Sequence, residues 1–187
     1  MDTPRFDPSH SVEFNLARGL VKIEGGGPRL LLPADAIAAL MQAADADGRK
    51  DFAHRLGSEA GRRAGERLKE GASLEDVVDH LGGELALMGL GSFGIERWGR
   101  ALVVTFSHAP FGPDGDELLA AVVEGALQRA FARDVGVVPI QRNHPHLRLL
   151  VVGKGTVERV RTWLGSGASY TDVIARLHDG ARGGTSP

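Results

Sequence analysis

Apolar positions change period several times along the chain, and each change marks an expected element. LVKIEGGGPRLLLP sets the short apolar runs Leu20–Ile23 and Arg29–Leu32 around Gly25-Gly26-Gly27, the pattern of a hairpin or of two consecutive strands. Pro33 suits the first turn of a helix, and Ile37, Leu40, Met41 and Ala44 then fall on one helical face before Gly48. RKDFAHRLGSEAGRRAGERLKEG reads as a second helix and SLEDVVDHLGGELALMG as a third, capped by Ser73 with Glu75 and Asp76 at the positive end of its dipole. SFGIERW and RALVVTFSH alternate like strands joined at Gly99, and APFGPDGD is a loop. Leu118, Leu119, Val122, Val123, Ala126, Leu127 and Ala130 form the stripe of a buried amphipathic helix. VGVVPI and LRLLVV follow as strands around QRNHPH, and GTVERVRTWLGSG and SYTDVIARLHDG close the chain as a helix pair. The expectation is one α+β domain over residues 12–180, with a flexible arm over 1–11 and a flexible tail over 181–187.

Two features go beyond this outline. Gly57, Gly61 and Gly65 stand four residues apart inside the second helix, each costing about 1 kcal/mol against Ala in an exposed helix. Spaced so, they share one face, and the natural compensation is close approach of another backbone, within the chain or across a dimer, or of a ligand. Tight helix–helix packing is the preferred reading. The second feature is an internal echo: LKEGASLEDVVDHL over 68–81 has the same spacing as LGSGASYTDVIARL over 164–177. In each copy a helix ends at Gly, Ser caps the next helix, and Asp stands three residues on. A DNA-reading helix-turn-helix would need a basic leading edge on the following helix, which neither copy has.

Composition narrows the function classes. The 187 residues carry 22 Lys and Arg against 24 Asp and Glu, a net charge of −2 that disfavours a nucleic-acid partner. With no cysteine, disulfides, thiolate metal sites and a cysteine nucleophile are excluded. MDTPRFDPSHS has neither the basic nor the apolar region of a secretory signal, and no apolar run approaches a membrane span, so a cytoplasmic location is expected.

Motifs that could carry chemistry are few. GLGSFG, Gly89 to Gly94, has dinucleotide-fingerprint spacing, but a helix precedes it and a strand follows, leaving no helix N-terminus for a phosphate. GKGT at 153–156 lacks the spacing of a phosphate-binding loop. His144 and His146 form an HxH pair, fewer ligands than the three that even an open zinc site requires, so no metal and no cofactor are expected. Ser58, Ser92 and Ser166 stand beside glycines without a nearby His–Asp arrangement, and no catalytic residue is nominated.

What remains is apolar. An α+β domain rich in glycine and lacking a catalytic constellation suits a cavity for a small molecule. The expected place is between the strands around Phe93–Trp98 and Leu102–Phe106 and the helix Leu118–Phe131, with Phe93, Trp98, Phe106, Val122, Gly125, Ala126 and Phe131 as lining. Large strand residues there face a stripe of small helical ones.

The order of segments, with RLGSEAGRRAGERL, GLGSFGIERWGRALVVTFSHAP and LLAAVVEGALQRAF followed by two strands, resembles the 4-vinyl reductase, or hydrocarbon-binding, domain family over about residues 16–152. More distantly it is similar to N-terminal sensor domains of bacterial activators that detect aromatics. The matching residues are Gly57 and Gly61 in a Gly-x-x-x-Gly helix, Gly89 to Gly94 before the strand pair, and Gly125 within the helix that precedes the last strands. The resemblance implies an antiparallel sheet covered by helices, a fold related to vesicle-tethering TRAPP subunits, frequent homodimers and an enclosed apolar pocket. Many members carry cysteines around the final strands, where this chain reads QRNHPHLRLL, so a metal is not carried over. Three functions follow: a non-catalytic binding or sensing module for a small apolar molecule, a protein-binding adaptor with its pocket filled, and an enzyme of pigment or aromatic metabolism, which would need a polar constellation that is not found.

Overall fold

A computed structural model describes residues 5–9, 11–24 and 26–182, without the side chains of 180–182. The expected tail over 181–187 lies almost wholly outside the described residues, as do residues 1–4 and 10 of the expected arm. Phe6 is fastened: its N–H donates to Asp79 Oδ2, its ring meets His80 edge-on at 6.4 Å, and the Arg67 guanidinium lies 5.5 Å from its centroid.

The chain forms β1 (Val12–Asn15), β2 (Leu20–Ile23), β3 (Pro28–Arg29), α1 (Ala34–Ala43), α2 (Ala46–Arg67), α3 (Leu74–Leu87), β4 (Ser92–Trp98), β5 (Ala101–Ser107), α4 (Asp116–Phe131), β6 (Val135–Asn143), β7 (His146–Gly153), α5 (Val157–Gly165) and α6 (Tyr170–Arg182). It is an α+β fold with two antiparallel sheets, β1-β2-β3 and β4-β5-β7-β6. The sequence pattern misses β1 and runs the third strand through Leu32. Only Pro28 and Arg29 pair, leaving Leu30 83%, Leu31 71% and Leu32 56% exposed, because no described element lies opposite them to reward an apolar strand.

The four-stranded sheet is apolar on both faces, as the paired runs Val103-Val104, Val137-Val138 and Leu149-Leu150 require. On the inner face, Phe93, Val104, Phe106, Val137, Leu147 and Leu149 pack with α2, α3 and α4. On the outer face, Val103, Val138 and Leu150 meet Val160 of α5 and Val173 of α6. The echo marks two equivalent helix starts. Ser73 and Asp76 form a reciprocal capping box at α3, and Ser169 and Asp172 exchange the same bonds at α6, with Gly71 and Gly167 at positive φ before them. The Ser169 hydroxyl and backbone N–H hold the Asp172 carboxyl below the usual carboxylate range.

The glycines of α2 meet α4 of the same chain. A Cβ on Gly57 would lie 1.9 Å from Val122 O, one on Gly61 2.2 Å from Ala126 O, and one on Gly125 2.4 Å from His54 O. The two backbones therefore touch, with His54 Nε2 and Gln128 Oε1 hydrogen-bonded at 2.9 Å beside the contact. Gly65 differs, since a Cβ there would be in ordinary contact with Ala130 at 3.5 Å.

This contrast is testable in one helix. Gly61→Ala is expected to lower stability by about 2–3 kcal/mol through backbone displacement despite its better helix propensity. Gly65→Ala is expected to be neutral or to stabilise by up to about 1 kcal/mol. Urea denaturation of both variants checks it, and equal effects would disprove the close approach.

Candidate functional site

Strand parity decides which expected site residues come together. Phe93 and Phe106 are paired neighbours on the inner face, their rings 5.7 Å apart and edge to face. Phe106 and Val122 are fully buried in the main core. Gly125 and Ala126 lie where α4 meets α2, and Phe131, at the end of α4, is 38% exposed. Trp98 is separated from all of these: five residues beyond Phe93 on one strand, it projects from the opposite face and packs with the α5–α6 layer. Between the sheet and α4 lie the packed side chains of Phe93, Val104, Phe106, Leu119, Val122 and Val123.

A cleft of about 480 Å³ opens instead on the outer face, lined by Trp98, Gln141, Arg148, Tyr170, Thr171, Ile174 and His178. A smaller one of about 230 Å³ shares His178 with it and includes Arg100 and Leu177. Each lining residue has a local cause. Trp98 and Arg148 occupy outward positions of β4 and β7. Gln141 reaches the same face because a bulge between Pro139 and Gln141 breaks the alternation of β6 and sets Gln141 opposite Arg148. Tyr170, Ile174 and His178 recur at i, i+4 and i+8 and so share one face of α6.

The groups are mutually oriented. Trp98 and Tyr170 rings meet at 5.4 Å, and the Arg148 guanidinium stands 5.7 Å from the Trp98 centroid. Trp98 Nε1–H donates to Glu96 Oε2 at 2.9 Å, Arg148 Nε reaches the same oxygen at 3.4 Å, and Arg148 Nη1 donates to Gln141 Oε1 at 3.1 Å. His178 Nε2 accepts from the Arg100 N–H at 3.2 Å. Sequence reading finds Trp98 alone of these residues. The period-two separation of Trp98 from Phe93 and the Tyr170, Ile174, His178 face were legible; the bulge that turns Gln141 was not.

A second polar cluster lies within the core. Glu84, fully buried, accepts from Arg63 Nε at 2.7 Å and from Arg67 Nη1 at 2.6 Å, and Arg63 Nη1 donates to Glu24 O at 2.7 Å. The arrangement ties α2, α3 and the turn after β2 together. His80, 2% exposed, sits one turn before Glu84 with neither ring nitrogen hydrogen-bonded among the described residues. His144 and His146 bracket the β6–β7 turn, and His146 Nδ1 pairs with Ser107 Oγ at 2.7 Å. Among the described residues no group of three His, Asp or Glu side chains could hold a metal ion. No described helix is long and apolar enough to cross a membrane.

No family model matches this chain, and no curated protein matches it. Among solved structures, the phenol-responsive sensory domain of the transcription activator PoxR, with phenol, is similar at a TM-score of 0.58. It is 14% identical, and the match covers 92% of this chain and 98% of that one. At this identity the likeness is one of fold.

The buried carboxylate generates a prediction. Glu84→Gln leaves two arginines without their counter-charge, one of them buried, and is expected to cost about 3–5 kcal/mol in urea denaturation. A loss below about 1 kcal/mol would mean that water, not Glu84, neutralises them.

Proposed function

We propose that this chain is a non-catalytic module that binds or senses a small apolar molecule. The observation that carries the reading is the chain-long likeness of fold to a phenol-responsive sensory domain. The aromatic-walled cleft under α6 supports it, since small-molecule sites combine apolar walls with a few polar groups. Membership of the 4-vinyl reductase family is part of this proposal and is supported by the order of segments and the positions of Gly57, Gly61 and Gly125. A cytoplasmic setting is also part of it, supported by the resemblance to a domain of a transcription activator.

A second reading, a protein-binding adaptor, is favoured by the N-terminal apolar surface. No residue of α1 is buried, Leu40 is 58% exposed, and Leu30 to Leu32, Phe14 and Leu16 add to the same exposed apolar set. A ten-residue helix is marginal in water without packing. This surface suits a homodimer contact in either reading.

Toluene, phenol and benzoate separate the two readings. A sensor is expected to show saturable increases in melting temperature with at least one of them, reaching about 2.7 kcal/mol of stabilisation at a hundred times Kd. An adaptor is expected to respond to none of the three. For the dimer, Leu31→Asp with Leu40→Asp is expected to halve the mass measured by light scattering while leaving circular dichroism unchanged.

A further inference from the structure

We infer that the cleft between the outer sheet face and α6 recognises an aromatic carboxylate, and that occupation fastens α6 to the sheet. The inference rests on the sensing reading above and gives it a site and a ligand class. Its basis is the polarity of the lining. Trp98, Tyr170 and Ile174 supply an apolar wall for a planar ring. Besides the Tyr170 and Thr171 hydroxyls, which can donate or accept, the polar groups left over on Arg148, Gln141 and His178 are donors. Arg148 uses Nε and Nη1 within the protein, leaving Nη2 without a hydrogen bond among the described residues. Gln141 uses its oxygen on Arg148, leaving its amide N–H groups. His178 accepts at Nε2, so the neutral ring carries its proton on Nδ1.

Three donors around an aromatic wall match an acceptor-only substituent on a ring, and a carboxylate is the group that accepts from a guanidinium through two oxygens. The local charge agrees. Arg148 lines this cleft and Arg100 the second cleft that shares His178, two cations against the carboxylate of Glu96, which pairs with Arg148 through Oε2 at 3.4 Å. A neutral hydrocarbon would leave those donors covered and unpaired, which favours the acid over its unsubstituted analogue. The volume, about 480 Å³, is within the usual range for a small-molecule site.

The site also spans two differently anchored parts of the fold. Trp98, Gln141 and Arg148 belong to the four-stranded sheet, whereas Tyr170, Thr171, Ile174 and His178 belong to α6. Apart from Val173 and Ile174 the described α6 side chains are half-buried or exposed. A ligand touching both sides adds contacts across that junction and shifts α6 toward its docked position.

Benzoate, phenol and toluene are the probes, read by ¹H–¹⁵N NMR and amide hydrogen exchange on the full chain. Benzoate is expected to shift the Trp98 indole resonance and leave that of Trp163, and to slow exchange in residues 171–178. Arg148→Met is expected to weaken benzoate roughly tenfold or more, with Arg148→Lys recovering part of the loss. Gln141→Ala is a second variant that keeps every charge and is expected to weaken it less. Benzoate binding indifferent to both Arg148→Met and Gln141→Ala overturns the inference, as does benzoate binding without protection of α6. Binding of toluene or phenol without benzoate overturns it too while leaving the sensing reading in place, and binding of none of the three removes both.

Discussion

The contact of α2 with α4 is the constraint from which the rest of the architecture follows. Gly57, Gly61 and Gly125 let two backbones come within van der Waals distance, and any side chain at these positions would overlap a carbonyl. The inner sheet face packs against these helices with Phe93, Phe106, Leu147 and Leu149. Three interior glycines weaken an isolated α2, so that helix depends on its partner; tertiary packing, not propensity, holds it.

That close packing has a functional consequence. With α2, α3 and α4 packed on the inner face of the sheet, the described cleft lies on the other face. There the sheet is covered by only the α5–α6 pair, whose apolar cluster is smaller and leaves a cleft at its edge. A bulge in β6 and the face of α6 bring Gln141, Arg148 and His178 to that edge. The buried Arg63–Glu84 pair and the glycine contact lie on one side of the sheet and the aromatic-walled cleft on the other.

The N-terminal sheet and α1 follow a different rule. They display Leu30 to Leu32 and Leu40 to solvent, while in the body of the domain, Phe131 apart, the described large apolar residues are buried or half-buried. Phe6 shows that the segment before β1 nevertheless fastens to α3 and to the end of α2, through a backbone bond to Asp79 and ring contacts with His80 of α3 and Arg67 of α2. A fold with a well-packed core and an apolar appendage suits assembly, and assembly is compatible with either function proposed.

Much of this was legible without coordinates. Period and punctuation located the six described α-helices, and strict Ser–Asp spacing after Gly marked the two capped starts at Ser73 and Ser169, because capping uses atoms only a few residues apart. The glycine spacing in α2 announced a close approach for the same local reason. It did not name the partner, since the complementary glycine is Gly125, sixty-four residues beyond Gly61. The candidate site depended most on tertiary structure. Trp98 was grouped with Phe93 although alternation along one strand sends them to opposite faces, and Gln141, Arg148, Tyr170 and His178 come from three elements that only the strand order β4-β5-β7-β6, the β6 bulge and the docking of α6 bring to one cleft. Local chemistry determines what each segment is; which faces meet depends on how the whole chain divides its apolar surface between the two sides of the sheet.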